Sequence, residues 1–209
     1  MRASFAQDYT MGKRTRTFWK DIMNICVFCG SNANAGEPYV SSAINLGTEM
    51  GRRGHTLVFG GFETGLMSSV AHAAAKAGGS VLGVITTDIP YLSARPVFPC
   101  DTLLKAHNLS DRKDMMFEHS DAFVALPGSV GTLDEIFSAL AEQKVKDGYA
   151  PKPTGIYNVQ GYYDALGALF DQMLLAKFMD PKDRDLFRIC DTAAATLNYV
   201  EQAVLCATN

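Results

Sequence analysis

The strongest chemical signal in the chain is one continuous run: Pro127-Gly128-Ser129-Val130-Gly131-Thr132-Leu133-Asp134-Glu135. An apolar stretch, Ala122 to Leu126, leads into it, and residues with helical spacing follow. A helix starting here leaves its first backbone N–H groups unpaired, and its dipole adds partial positive charge. Glycines allow a sharp turn and close approach of a ligand to the backbone. Phosphate suits such a seat, and the Thr132 hydroxyl adds a donor. No lysine follows the loop, so it is not the Gly-x-x-x-x-Gly-Lys loop of nucleoside triphosphatases. The Gly-x-Gly-x-x-Gly dinucleotide spacing is absent too. The plainer alternative is a glycine turn that only joins a strand to a helix.

Asp134 and Glu135 open that helix. They either offset its dipole, worth about 0.3–1 kcal/mol, or reach the sugar of a bound nucleotide. In the second case Glu135 activates water at the anomeric carbon, and Asp134 caps the helix or holds water. Arg112-Lys113 is the second cluster. Adjacent basic residues form either a solvated helix face or, near a crevice, a fork for phosphate or for a carboxylate beside the sugar. Cys26 and Cys29 form a Cys-x-x-Cys pair, but zinc needs two more ligands and no second pair has the spacing. They are expected as buried strand cysteines. The four histidines form no metal-binding pattern.

Alternating strands and helices must position these groups. Strands are expected at Ile22 to Phe28, Thr56 to Phe59, Val81 to Ile85, Ala122 to Leu126 and Thr154 to Tyr157. Helices are expected from Pro38 to Met50, Leu66 to Ala77, Asp111 to His119 with Ser110 as cap, Thr132 to about Val145, Tyr162 to Phe178, and Thr192 to Leu205. Residues 86–108, punctuated by Pro90, Pro96 and Pro99, are expected to be irregular. Asp180 to Asp185 is expected to be a solvated turn. The alternation predicts an α/β fold with a mostly parallel sheet and helices on both faces. Ligands of such sheets sit beyond the carboxyl ends of the strands. Three strand ends carry glycine turns: Gly30-Ser31, Gly60-Gly61 and Gly128 to Gly131. Together they predict one crevice.

Composition narrows the class. Of 209 residues, 47% are hydrophobic and 20% charged, enough apolar material for a full core. The net charge of −3 gives no basic excess for nucleic acid. No apolar run approaches the ~20 residues that cross a bilayer. The basic segment 1–21 lacks the apolar stretch of a secretory signal and is expected to be an irregular tail before one domain, 22–209. Five cysteines without a disulfide framework suggest a reduced, cytoplasmic protein.

Arg112-Lys113-Asp114-Met115-Met116, followed by the Pro127 to Glu135 run, resembles the paired signature of the LOG (LONELY GUY) family, Arg-Lys-x-x-Met then Pro-Gly-Gly-x-Gly-Thr-x-x-Glu. Cys26-Val27-Phe28-Cys29-Gly30-Ser31 and Leu57-Val58-Phe59-Gly60-Gly61 with Gly65-Leu66-Met67 are similar to the family's first two strand ends. The similarity spans about Asn24 to Phe170. It implies a Rossmann-like fold and hydrolysis of the N-glycosidic bond of a nucleoside 5′-monophosphate, a cytokinin riboside monophosphate or an AMP-like nucleotide. The products are a free base and ribose 5-phosphate. It also implies no metal or other cofactor and a homodimer or larger homo-oligomer. By motif match, Arg112 and Glu135 take catalytic positions. Lys113, Met116, Gly128, Ser129, Val130, Gly131, Thr132 and Asp134 take substrate-binding positions, and Gly30, Ser31, Gly60 and Gly61 line the crevice.

The chain departs from the pattern at three glycines, where it has Phe62, Ser68 and Ser129. Phe62 either stacks on a base or fills the pocket. Ser129 is strained if its position needs positive φ. The family's Thr-Trp pair beyond the glutamate and its glutamate ahead of the Arg-Lys pair are also absent. The rival function is a non-catalytic nucleotide or phosphorylated-cofactor carrier on the same fold. A weaker rival is a nucleotide sensor acting through the basic tail.

Overall fold

The computed structural model describes residues 22–86, 88–145 and 152–207. The basic tail lies outside them. Seven strands form one sheet: β1 (Asn24–Phe28), β2 (Thr56–Phe59), β3 (Ser80–Thr86), β4 (Thr102–Ala106), β5 (Ala122–Ala125), β6 (Thr154–Tyr157) and β7 (Phe187–Cys190). Their order is β4-β3-β2-β1-β5-β6-β7, and every pairing is parallel. The chain winds outward from β1 in one direction, then returns to β5 and winds outward in the other. The reversal between β1 and β5 is the switch point at which such sheets open a crevice.

Among the described residues seven α-helices flank the sheet: α1 (Glu37–Arg52), α2 (Gly65–Lys76), α3 (Pro90–Ser93), α4 (Leu109–Glu118), α5 (Val130–Val145), α6 (Asp164–Leu175) and α7 (Ala193–Ala207). Alternate side chains of a strand face opposite sides, so one strand feeds two cores. Ile25 and Val27 of β1 pack with Leu46, Val70 and Leu197 from α1, α2 and α7. Cys26 and Phe28 pack with Met116, Ile136 and Phe170 from α4, α5 and α6. Strands buried on both faces read as continuous apolar runs, as the central ones do.

The structure corrects the expected elements at the margins. β4, in the stretch expected to be irregular, and β7, where no element is expected, are the two sheet edges. Thr102, Leu103 and Lys105 of β4 and Arg188 of β7 are exposed, so neither strand has an unbroken apolar run. α3 lies in the proline-punctuated stretch because Pro90 sits in its first turn, where no backbone N–H is needed. α4 is capped by Asn108, not Ser110: its side-chain oxygen accepts from the Asp111 N–H at 2.9 Å. Gly51 lies inside α1 rather than ending it. Asp180 to Asp185 is not simply a solvated turn. Pro181–Leu186 form a 3-10 helix with a capping box, and Asp183, 5% exposed, pairs with Lys144 of α5 at 2.7 Å.

Candidate active site

The turns at the ends of β1 and β5 are stitched together. Gly30 donates its N–H to Pro127 O at 3.0 Å, and Leu126 donates to Phe28 O at 2.9 Å. The β1 turn is also tied to α2, whose Leu66 N–H reaches Gly30 O at 3.0 Å. On the β5 side, the Tyr162 hydroxyl donates to Gly128 O at 2.6 Å and the Tyr163 hydroxyl to Leu126 O at 2.8 Å. The Gly128 turn is therefore held from two directions before any ligand arrives. A β-carbon at Gly128 would overlap the Thr132 hydroxyl and crowd the Gly30 nitrogen, so no larger residue fits there.

α5 starts directly from this turn. Its first backbone bond runs from Leu133 N–H to Ser129 O at 3.1 Å. Among the described residues, the N–H groups of Val130, Gly131 and Thr132 have no backbone acceptor. Val130 is 81% exposed, and the space beside Gly131 is open within 4 Å. Three free donors at the positive end of a 16-residue helix are what an anion seat requires. Ser129 has no positive φ: among described non-glycine residues only Gln160 and Lys177 do. The strain considered for that serine is not present.

Arg112, in the first turns of α4, reaches back over the strand ends. Its Nε donates to Val84 O at 2.7 Å and its Nη2 to Gly60 O at 2.8 Å. Gly60 is required here, because a β-carbon would overlap Nη2. The guanidinium also lies 5.8 Å from the centroid of the Phe62 ring. Phe62 is 2% exposed and belongs to the core, so it supports Arg112 from below and offers no face to a base.

Glu135, one turn into α5, is partly buried. Among the described residues no hydrogen bond reaches its carboxylate. Burial pushes its pKa up from the usual carboxylate range to about 7; Arg112 opposes the shift, Asp134 reinforces it, and Lys113 opposes it. Burial likewise pulls the Arg112 guanidinium down, and Glu135 is the main group that opposes this. The two side chains are thus electrostatic partners. A carboxyl group that titrates near neutral pH beside a fixed cation can take a proton from water and hold it.

The remaining expected positions divide. Lys113 is turned toward α5, with Nζ 2.9 Å from Asp134 Oδ2 and 2.8 Å from Ser138 Oγ. It ties the two helices that carry Arg112 and Glu135. Met116 is 1% exposed and lies in the core under α4, away from the crevice. Gly61 has a positive φ of 73° and its carbonyl accepts from Phe98 N–H at 3.0 Å, which anchors the loop beyond β3.

An open cleft of about 860 Å³ lies over the switch point, within the range of small-molecule sites. Gly30, Ser31, Gly128 and Ser129 line it, as the glycine turns predict. Arg112, Glu135 and Val130 to Thr132 border the same turns but are not part of that lining. Tyr39, Tyr91, Arg95 and Tyr162 also line it and were not singled out from sequence. Tyr39 and Tyr162 meet edge to face at 5.7 Å. The only signal for Arg95 was a lone cation in a proline-rich loop after a strand. Ser68 lines a smaller neighbouring cavity of about 270 Å³ with Glu63 and Ser69.

A family model described as "Possible lysine decarboxylase" matches residues 67–200. The chain is 37% identical over 182 residues to "Probable cytokinin riboside 5′-monophosphate phosphoribohydrolase LOGL9" of Oryza sativa subsp. japonica, covering 86% of this chain and 78% of that protein. It is 35% identical over 184 residues to cytokinin riboside 5′-monophosphate phosphoribohydrolase LOG3 of Arabidopsis thaliana, covering 87% of this chain and 83% of that one. Among solved structures, the molybdenum cofactor carrier protein of Chlamydomonas reinhardtii superposes with a TM-score of 0.67 at 21% identity, covering 88% of this chain and 99% of that chain. At that identity the likeness concerns the fold alone.

Proposed function

Because the chain belongs to the LOG family of cytokinin riboside 5′-monophosphate phosphoribohydrolases, we propose that it hydrolyses the N-glycosidic bond of a nucleoside 5′-monophosphate. The products are a free base and ribose 5-phosphate. The observation that carries this is the Glu135 carboxyl, with a pKa near 7, coupled to Arg112 beside the unpaired N-terminus of α5.

The 5′-phosphate binds the N–H groups of Val130, Gly131 and Thr132 at the turn that begins at Gly128. This binding is remote from the reacting bond and fixes the sugar over Glu135. Departure of the base takes the glycosidic electron pair onto the base nitrogen and leaves oxocarbenium character at the anomeric carbon. The Glu135 carboxylate stabilises that positive charge and removes a proton from the attacking water. The new C–O bond completes ribose 5-phosphate, and the base nitrogen gains a proton. Arg112, fixed by two backbone carbonyls, favours the ionised form of Glu135 against the burial that raises its pKa, and orients the sugar. Lys113 positions α4 against α5. Gly30, Ser31, Gly60, Gly61, Ser129 and Asp134 shape the crevice around these groups.

A cytokinin riboside monophosphate is the substrate the relatives' names favour, with AMP as the simpler analogue. Activity as a homodimer or larger assembly in the cytoplasm belongs to the same proposal. The exposed Val130 and Phe137 on α5 support the assembly, as apolar surface that a second copy would cover. Among the described residues no helix is long and apolar enough to cross a membrane. The carrier alternative rests on fold likeness only, whereas the 35–38% identical relatives are named as hydrolases.

The test is release of ribose 5-phosphate from N6-isopentenyl-AMP and AMP by purified protein. Turnover that falls ~10²–10⁴-fold in Glu135→Gln supports the assignment. No product from a panel of purine and pyrimidine monophosphates overturns it.

A further inference from the structure

Among the described residues Arg95 is the only charged side chain that lines the 860 Å³ cleft. Among the described residues no carboxylate pairs with it. Its Nη2 donates to the Tyr91 hydroxyl at 2.5 Å, and its guanidinium carbon stands 4.6 Å from the centroid of the same ring. Tyr91 belongs to α3, on the loop beyond β3, and is 69% exposed. An exposed ring that packs against no core still orders the arginine one turn away. Among the described residues the other guanidinium donors of this cleft-lining arginine have no hydrogen-bond partner.

The other basic residues near the crevice are already engaged. Arg112 gives two donors to the carbonyls of Val84 and Gly60, and Lys113 bonds Asp134 and Ser138. Arg95 is near enough to Arg112 to depress that guanidinium's pKa, so the cleft and the Arg112–Glu135 pair share one electrostatic field. A cavity whose one charged wall among the described residues is a cation without a carboxylate partner, and whose glycine turns lead to free N–H groups, is matched to an anion. Arginine presents a planar fork that suits phosphate oxygens in particular.

We propose that Arg95, held in place by Tyr91, is a phosphate-binding residue of the cleft that selects nucleotides over nucleosides. The proposal rests on the phosphoribohydrolase assignment for the identity of the ligand. A charge-assisted contact of this kind contributes ~1.5–3 kcal/mol, which is ~10–100-fold in affinity.

The test measures binding by calorimetry in the Glu135→Gln background, which avoids turnover. The probes are AMP, ribose 5-phosphate, inorganic phosphate and adenosine. Arg95→Ala is expected to weaken AMP and ribose 5-phosphate ~10–100-fold and adenosine not at all, with Arg95→Lys in between. Tyr91→Phe, which keeps the ring, is expected to weaken them less than Tyr91→Ala. Inorganic phosphate weakened alone would make Arg95 a free-anion site and overturn nucleotide selection. So would AMP binding equal to the parent, or equal losses for AMP and adenosine. Arg95 and Tyr91 support no core, so melting temperatures should match the parent. Absence of turnover in the native protein would count against the hydrolase assignment, while the binding comparison still decides the role of Arg95.

Discussion

Arg112 crosses Gly60 so closely that its Nη2 hydrogen-bonds the Gly60 carbonyl at 2.8 Å and would overlap any β-carbon at that position. A glycine at the end of β2 is thus the condition for an arginine from α4 to lie beside Glu135. Gly60→Ala should displace the guanidinium without unfolding the sheet. Its kcat/KM should fall as far as that of Arg112→Ala, ~10²-fold or more. The double variant should fall no further, because both changes remove the same interaction. Additive losses in the cycle would separate Gly60 from Arg112.

The Glu135 pKa of about 7 sets a pH limb. As a general base Glu135 works only when ionised, so kcat/KM should rise about tenfold per pH unit below ~7 and level off above it. Lys113 holds the pKa down. Lys113→Ala should therefore move the limb to higher pH, and loss of the Lys113–Asp134 ion pair adds to the effect by leaving the Asp134 charge uncompensated. A Lys113→Ala profile that keeps the limb in place would show that Lys113 does not act through Glu135.

Much of this site was legible because its signals are local. The Gly128 to Glu135 run lies between a buried strand and a helix, and both periods show in the sequence. The alternation of elements was enough for a parallel sheet with two covered faces. What escaped depends on distance along the chain. β4 and β7 are edge strands, identified by their neighbours rather than by their own hydropathy. Phe62 looked like a pocket residue because it stands at a strand end, but packing from the loop around Val97 buries it. Arg95 and Tyr91 carry no motif at all; only the fold brings their loop to the cleft. Met116 fits a motif for a packing reason, as the inward face of α4.

The glycine turn yields a contrast between two substitutions. A β-carbon at Gly131 meets nothing within 4 Å, whereas one at Gly128 overlaps the Thr132 hydroxyl. Gly131→Ala should leave stability unchanged or raise it by ~0.4–1 kcal/mol, since alanine loses less chain entropy in a helix. Its KM for a nucleoside monophosphate should nevertheless rise, because the methyl group occupies the phosphate's space. Gly128→Ala should lower both stability and binding. Wild-type KM in Gly131→Ala would place the phosphate elsewhere.

Phe62 gives a prediction that separates core from base pocket. Phe62→Ala should cost ~3–5 kcal/mol in urea denaturation, the usual range for a buried phenylalanine. Phe62→Leu should cost less and should lower kcat more than it raises KM, through loosened support of Arg112. A base-stacking role would give the reverse: stability intact and KM raised.

Glu135 also links activity to stability. In the unfolded chain its carboxyl titrates near 4.5, and in the folded protein near 7. Between those values the unfolded state has lost a proton that the folded state keeps, so folding takes up a proton. Raising the pH therefore disfavours folding. The advantage conferred by the protonated carboxyl is fully present below about pH 4.5 and is lost as pH passes through 7. At ~1.4 kcal/mol per pKa unit, the loss is at most about 3.5 kcal/mol, reduced to the extent that water reaches the partly buried side chain. Glu135→Gln cannot ionise and keeps the neutral shape. Its stability relative to the native chain should therefore rise between pH 5 and pH 8, measured by urea denaturation at both values. The variant that loses activity should become the more stable one in the pH range where the enzyme works. A difference that stays constant with pH would mean that the folded-state carboxyl ionises where an exposed glutamate does, which would remove the physical basis for Glu135 as a base tuned to neutral pH.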